Sequence, residues 1–203
     1  MRRPSDAVIS SFLISQRSQG FSYSQVGASR GNPPAGYTID HNRVRVGQGA
    51  DDFARAAESL RRWQMFELGW LDLCWPNAPI QAGSTVAVLV RALGVWWLNA
   101  CRIVYVLDEG APTRRFGFAY GTLSEHAEQG EERFSVEWRP SDDSVWYEIF
   151  AFSRPKHWLA RVGYPLSRQL QFRFAIDSMH AMLSAVDRSR RIDFSDRNRG
   201  SGH

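Results

Sequence analysis

The strongest constraint on the fold is a run of segments with alternating apolar and polar residues, followed by one long apolar segment. In residues 131–139, Phe134, Val136 and Trp138 share one face of an extended chain, and charged residues occupy the other. This period of two indicates an antiparallel strand with one buried face. Further strands are predicted at about 37–46, 64–71, 84–91, 95–108, 114–123 and 144–153.

The helical segments lie outside this run of strands. Asp51 caps a helix predicted at about 51–63, where the apolar residues recur at helical spacing. Pro155 suits the first turn of a short helix, and a longer helix is predicted at about 165–187. The long helix is apolar around much of its circumference, so other elements must surround it. The order predicts an α+β fold, in which a curved antiparallel sheet of about six to seven strands wraps around the long C-terminal helix.

The chain is predicted to hold one domain with two extensions. Residues 1–36 form an N-terminal arm with a short helix capped at Ser5 or Asp6. Residues 37–187 form the single domain. Residues 188–203 contain almost no apolar side chains and are predicted to be a disordered basic tail.

The net charge of +4 and the pI of about 9.4 raise the question of a polyanionic partner. Arg2 and Arg3 against Asp6 contribute +1, and five arginines against two aspartates in residues 188–203 contribute +3. Residues 7–187 are therefore neutral. This distribution argues against specific nucleic-acid binding, because only the two ends of the chain carry a net positive charge.

Cysteine usage and hydropathy bear on the compartment. Cys74 and Cys101 lie among large apolar residues, which favours two buried free thiols over a disulfide. The sequence has no spacing typical of a metal site and no phosphate-binding glycine loop, so neither a metal nor another cofactor is predicted. No apolar run approaches the length of a transmembrane segment. We therefore expect a cytoplasmic protein.

Several long motifs carry a family resemblance that covers about residues 18–185. They are, in chain order, FSYSQVG, GYTIDHNRVRVGQG, FARAAESLRRWQMFELGW, RIVYVLDE, RRFGFAYGTLSEHAEQGEERFSVEW and DSVWYEIFAFSRPKHWLARVGYP. This set resembles the DUF1990 family, which is defined by a domain of unknown function and so implies no catalytic residues. The resemblance implies the helix-grip fold of the Bet v 1, START and polyketide-cyclase proteins, in agreement with the predicted element order.

One polar cluster holds the candidates for acid–base chemistry. His126 lies between Glu125 and Glu128, and Glu131 and Glu132 follow. Carboxylates around an imidazole can tune its pKa for proton transfer, and the same spacing could surround a cation. The alternative is a solvated hairpin loop. Glu132 differs from the others because it shares the apolar face of its strand, so it needs a partner such as an arginine.

Polar side chains that interrupt apolar strands are candidates for ligand contact. Asn99 and Tyr105 are predicted on one face of the long strand, and Arg102 on the other. A structural interpretation pairs Arg102 with a carboxylate and Asn99 with the backbone. The predicted ligand-binding residues are Asn99, Arg102, Tyr105, Tyr120, Glu132 and Trp138.

Aromatic residues make up 13% of the chain, with eight tryptophans, which calls for a large core or an apolar cavity. The favoured function is binding of a small apolar or amphipathic molecule in a cavity between the sheet and the C-terminal helix. The alternative is a cyclase- or dehydratase-like enzyme, in which His126 and either Glu128 or Glu132 form the acid–base pair. Some strands are apolar on both faces, so the N-terminal arm or a homodimer must cover the second face.

Overall fold

The computed structural model describes residues 2–200 apart from residues 76, 93, 111–112, 127 and 157–163, and of residues 164 and 194–200 it describes the backbone only. The elements are α1 (Asp6–Gln16), β1 (Thr38–Gln48), α2 (Gly49–Arg61), β2 (Leu71–Cys74), β3 (Thr85–Ala92), β4 (Val95–Glu109), β5 (Arg114–Thr122), β6 (Glu128–Arg139), β7 (Ser144–Pro155) and α3 (Tyr164–Gly200). Short 3₁₀ helices occur at Ala28–Arg30 and Gln64–Phe66.

The strands form a single antiparallel sheet. Its seven strands follow the order β1-β7-β6-β5-β4-β3-β2. Strands that are adjacent in the sheet are therefore consecutive in sequence, except for the β1–β7 pair. The sheet curls into a half-barrel with α3 on its concave face. The register shifts between Arg45 and Gly47 in β1 and between Ile103 and Tyr105 in β4, and such bulges increase bending and twist. The predicted α+β helix-grip architecture is confirmed.

Close packing fills one half of the concave face. The apolar face of α2 joins the aromatic side chains of β5 and β6, and Trp63, Phe118 and Phe134 are almost fully buried there. The rings of Trp63 and Phe118 meet edge to face, with centroids 4.7 Å apart, a favoured aromatic geometry. This half of the sheet is a solid core.

The N-terminal arm covers the convex face of the sheet. Ile9 and Leu13 of α1 pack against Ala87 and Leu89 of β3. Farther along the arm, the 3₁₀ helix at Ala28–Arg30 lies against β6 and β7. The sequence predicted that either the N-terminal arm or a homodimer covers the second apolar face, and in the structure the arm covers it.

Glu131 fastens this arm to the sheet. Its Oε2 accepts hydrogen bonds from the Tyr23 hydroxyl and the Gly27 amide, each at 2.7 Å. Its Oε1 accepts from the Ser29 amide at 3.1 Å and from the Ser29 hydroxyl. Tyr23 reaches this carboxylate across Gly121, where a Cβ atom would overlap the phenol. Glycine at this position therefore allows a close approach that a larger residue would block.

Three predicted boundaries differ from the structure. Residues 64–71 contain a 3₁₀ turn and only the start of β2, because Trp63 turns the chain with a φ of 56°. Pro155 ends β7 rather than beginning a helix, and the rest of that predicted short helix lies outside the described residues. The last helix continues to Gly200 rather than ending near residue 187.

Ion pairs stabilise part of the helix beyond residue 187, in the segment where the sequence predicts a disordered tail. Arg190 contacts the Asp52 carboxylate at 2.7 Å, and Arg55 contacts Asp193 at 2.6 Å. Ion pairs, rather than apolar packing, therefore attach this segment of the helix to α2. Among the described residues, no helix is both long and apolar enough to cross a membrane.

Candidate functional site

A cavity of about 770 Å³ lies between the concave face of the sheet and the first turns of α3. Its walls are mainly apolar. They include Leu166, Leu170 and Phe174 from α3, and Val88, Val90 and Ile149 from the sheet. Trp97 and Phe172 line the same space and are also largely exposed to solvent, so they mark its opening.

Glu132 is the most unusual polar group in the cavity wall. The Tyr120 hydroxyl donates a hydrogen bond to its Oε2 at 2.8 Å, and both residues line the cavity. Burial raises the pKa of the Glu132 carboxyl to about 7, and the negative charges of Asp40 and Glu128 act in the same direction. Burial likewise holds the pKa of the Tyr120 phenol well above its ordinary value. Glu132 is therefore a carboxyl that changes its charge near neutral pH.

A second polar group links β6 to the helix above the cavity. The Glu128 carboxylate accepts a hydrogen bond from the Ser167 hydroxyl at 2.6 Å and one from the Gln171 amide at 2.5 Å. On the edge strand β1, which β7 separates from β6, Asp40 forms a two-bond ion pair with Arg168 at 2.5 and 2.6 Å. The first turns of α3 are thus held over the cavity by polar bonds to the sheet.

His126 lines the same end of the cavity. Its Nδ1 accepts a hydrogen bond from the Glu128 backbone amide at 3.0 Å, so the neutral ring carries its proton on Nε2. Burial lowers the pKa of the imidazole to about 4, and the charge of Lys156 acts in the same direction. His126 is therefore a neutral hydrogen-bonding group at physiological pH.

We expect the ring of His126 to remain neutral down to about pH 5 in the folded protein. In the same protein unfolded in urea, it should titrate near its ordinary pKa of 6.5, because unfolding restores hydration of the charged ring. The measurement is a pH titration of the histidine ring signals by NMR, with His126→Gln identifying the resonance. A folded-state midpoint above 6 would contradict this assignment.

The structure brings five of the predicted site residues together at the cavity: Asn99, Tyr120, His126, Glu128 and Glu132. The predicted pairing of His126 with Glu128 is not an ion pair, because the contact uses the Glu128 amide and its carboxylate binds α3. Glu132 was expected to need a partner such as an arginine. The hydrogen-bond partner of Glu132 is Tyr120.

Arg102 lies on the convex face, outside the cavity. Its Nη2 donates hydrogen bonds to the carbonyls of Gln16 and Arg17, at 3.0 and 2.9 Å. These carbonyls belong to the C-terminal end of α1, where helical carbonyls lack partners within the helix. The residue therefore caps the arm helix and does not line the cavity.

Tyr105 and Trp138 were also predicted to contact a ligand, and neither lines the cavity. The bulge after Ile103 inserts one residue, so Tyr105 pairs with Ala119 and turns to the convex face. Its hydroxyl there contacts the Ser29 hydroxyl at 2.6 Å. Trp138 keeps its predicted face but belongs to the packed half of the sheet, where its indole donates to Asp143 at 2.8 Å.

The thiols match the sequence prediction of two buried free cysteines. Cys101 lines the cavity, and burial raises the pKa of its thiol. Burial also raises the pKa of Cys74, to about 11. Within the described ranges, no group of three or more histidine, cysteine, aspartate and glutamate side chains could hold a metal ion.

Comparison with known proteins bears on both the family and the fold. Residues 22–181 match the model of DUF1990, a domain of unknown function. A UPF0548 protein of Dictyostelium discoideum is 34% identical over 209 residues, which cover 94% of this chain and 97% of that protein. A UPF0548 protein of Deinococcus radiodurans is 36% identical over 187 residues, which cover 86% and 92%.

The similarity to a solved structure concerns the fold alone. The Zhui aromatase/cyclase from Streptomyces sp. R1128 superposes with a TM-score of 0.53 at 12% sequence identity. The match covers 75% of this chain and 94% of that one. The family match over residues 22–181 spans most of the chain, and the relatives align over nearly their whole length. The chain therefore belongs to the DUF1990 family, also named UPF0548 in its relatives, and it has the helix-grip fold.

Proposed function

We propose that the protein binds a small apolar or amphipathic molecule in the cavity between the sheet and α3. The observation that carries this proposal is the cavity itself, which has a volume of about 770 Å³. Ligand pockets typically measure about 300–1,000 Å³ and combine apolar walls with a few polar groups. The apolar walls, with Glu132, Tyr120 and Asn99 as polar groups among them, match that description.

The attachment of α3 also supports a binding role. Hydrogen bonds from Ser167 and Gln171 to Glu128, and the Arg168–Asp40 ion pair, hold the helix above the cavity. Side-chain packing across the cavity is therefore not needed to keep α3 in place. The aromatic side chains Trp97 and Phe172 supply an apolar opening through which such a molecule would enter.

One observation favours an enzyme as the second candidate function. The Glu132 carboxyl has a pKa of about 7 and faces the cavity beside the Tyr120 hydroxyl. A carboxyl tuned in this way suits general acid–base catalysis near neutral pH, as a cyclase- or dehydratase-like reaction requires. His126 would then serve as a neutral hydrogen-bond donor rather than as the base.

The compartment proposed for this function is the cytoplasm. Cys74 and Cys101 are both buried free thiols, which suits a reducing environment.

The binding proposal is tested with a cavity-filling variant. Ala151 lines the cavity and pairs with Glu132 across the β6–β7 ladder, so Ala151→Trp places an indole in the cavity. We expect this change to weaken binding of the neutral fluorescent probe N-phenyl-1-naphthylamine at least fivefold. Ala50→Trp makes the same change at an exposed position at the start of α2, and it should leave the affinity unchanged.

Probe titration is combined with native mass spectrometry of the freshly purified protein. Retained apolar molecules that are lost in Ala151→Trp but kept in Ala50→Trp support the proposal. Equal probe affinity in both variants, with each one folded by circular dichroism, would place the bound probe elsewhere. No saturable binding to the wild-type protein would overturn the proposal.

A further inference from the structure

We propose that the molecule bound in this cavity carries a protonated amine, which forms an ion pair with Glu132. This inference rests on the ligand-binding function proposed above and names the chemical class of the ligand. Its apolar part would occupy the cavity walls, and its ammonium group would reach the polar end beside Tyr120.

The first support is the open acceptor position on Glu132. Its Oε2 is occupied by the Tyr120 hydroxyl at 2.8 Å. Among the described residues, no hydrogen bond or ion pair reaches its Oε1, although the residue lines the cavity. A carboxylate oxygen at the wall of an apolar cavity is poorly solvated, and a donor supplied by a ligand would stabilise it.

The second support is the charge balance around this position. Asp40 and Glu128 both raise the pKa of the Glu132 carboxyl, so the end of the cavity already holds negative charge. Arg168 lowers the pKa of Glu128 by its charge, and the Asp40 carboxylate accepts two of its hydrogen bonds. An anionic ligand group would be repelled here, whereas a cationic group would be attracted.

Within the part of the chain that the structure describes, the other basic groups near Glu132 do not supply a cation. Lys156 donates to the Ser124 carbonyl and makes no ion pair with Glu132. The His126 ring is neutral, since burial lowers its pKa to about 4. The ligand is therefore the natural source of a positive charge for Glu132.

The apolar walls of the cavity favour a ligand whose remaining part is apolar. An ion pair in a site with few waters is stronger than one at the protein surface, because the effective dielectric constant is lower. N–H donors that carry charge also form shorter and stronger hydrogen bonds to carboxylates than neutral donors do. The inferred class is an amphipathic amine with an alkyl or aromatic body, and a fatty acid is disfavoured.

The test compares three molecules that share one alkyl chain: decylamine, decanol and decanoate. Each displaces N-phenyl-1-naphthylamine from the wild-type protein at pH 7.5, below its micelle concentration. We expect decylamine to bind at least tenfold more tightly than decanol, and decanoate to bind most weakly. Glu132→Gln should abolish the preference for the amine, so that decylamine and decanol bind this variant within twofold of each other. Glu125→Gln, at an exposed position on the turn before β6, should retain the preference.

A second measurement needs no variant. As the pH falls from 8 to 5, decylamine binding to the wild-type protein should weaken, because Glu132 takes up a proton. Decanol binding should stay constant. The other titratable groups that face Glu132 are Tyr120 of β5, Cys101 of β4, Tyr147 of β7, Asp40 of β1 and Glu128 of β6. Burial holds the pKa values of the two phenols and the thiol above their ordinary values, so these three remain neutral throughout.

The outcomes separate this inference from the proposed function. If decanol binds but decylamine has no advantage, or if Glu132→Gln keeps that advantage, the amine assignment is overturned and the binding function stands. A preference for decanoate would also overturn the amine assignment. If neither the probe nor any of the three molecules binds, both proposals are wrong.

Discussion

Replacing Glu131 by glutamine is expected to lower the free energy of unfolding by about 3 kcal/mol and to loosen the N-terminal arm. This carboxylate lies on the convex face of β6 and is 2% exposed. It accepts hydrogen bonds from three arm residues, Tyr23, Gly27 and Ser29. An amide keeps one acceptor oxygen, so the backbone N–H that bound the replaced oxygen loses its partner, while the hydroxyl beside it must turn to accept instead.

The cost is large because the donors are themselves held in place. The Ser29 hydroxyl also contacts the Tyr105 hydroxyl at 2.6 Å, and Arg133 donates to the Ser29 carbonyl at 2.6 Å. If the arm moved to give the new amide better partners, these contacts would therefore break as well. Each buried donor without a partner costs about 1–3 kcal/mol.

The measurement is urea denaturation at pH 8, with trypsin cleavage at Arg30 as the local readout. Glu132→Gln is the matched control, because it makes the same chemical change at the adjacent residue on the opposite face. We expect faster cleavage in Glu131→Gln alone. Stabilities within 0.5 kcal/mol of each other for wild type and Glu131→Gln would show that the arm is fastened by other contacts.

The two neighbouring glutamates show what sequence alone could and could not predict. The alternation in β6 places Glu132 with the apolar residues, and the structure confirms that it faces the cavity. The same alternation places Glu131 on the other face, where the sequence predicted either a polar cluster for acid–base chemistry or a solvated hairpin loop. Its partners are two backbone amides and two hydroxyls of an irregular arm, and this set of donors has no sequence signature.

The overall fold was predictable because period-two strands and one wide apolar helix leave few arrangements. The placement of Tyr105 was not, because a single bulge after Ile103 reverses the faces of the residues that follow. Bulges of this kind depend on packing against other elements rather than on the local residues. The extension of α3 past residue 187 was missed for a similar reason. Its contacts are ion pairs such as Arg190–Asp52, between residues far apart in sequence.

Replacing Glu132 by glutamine is expected to have the opposite effect on stability, and one that depends on pH. At pH 8 the variant should be more stable than wild type by about 3 kcal/mol, the free energy that corresponds to a pKa raised from 4.5 to about 7. The neutral amide can still accept the hydrogen bond from Tyr120 while avoiding the cost of a buried charge.

The sign follows from proton binding by the native and unfolded states. Between pH 4.5 and about 7, the folded protein keeps a proton on Glu132 that the unfolded chain has released, so stability falls as the pH rises. His126 acts in the opposite direction between pH 4 and 6.5, because its folded-state pKa is lowered and the unfolded chain binds the extra proton. The two effects partly cancel in the wild-type profile.

The contribution of His126 cancels when the free energies of unfolding of wild type and Glu132→Gln are subtracted, because both proteins contain it. We expect that difference to be near zero at pH 4.5, to grow up to about pH 7 and then to level off. Urea denaturation at half-unit pH intervals measures it, with Glu125→Gln as an exposed carboxyl control. A difference that is constant with pH would mean that Glu132 has the same pKa in the folded and unfolded states. A variant less stable than wild type at pH 8 would mean that the carboxylate, rather than the acid, is the form the cavity stabilises.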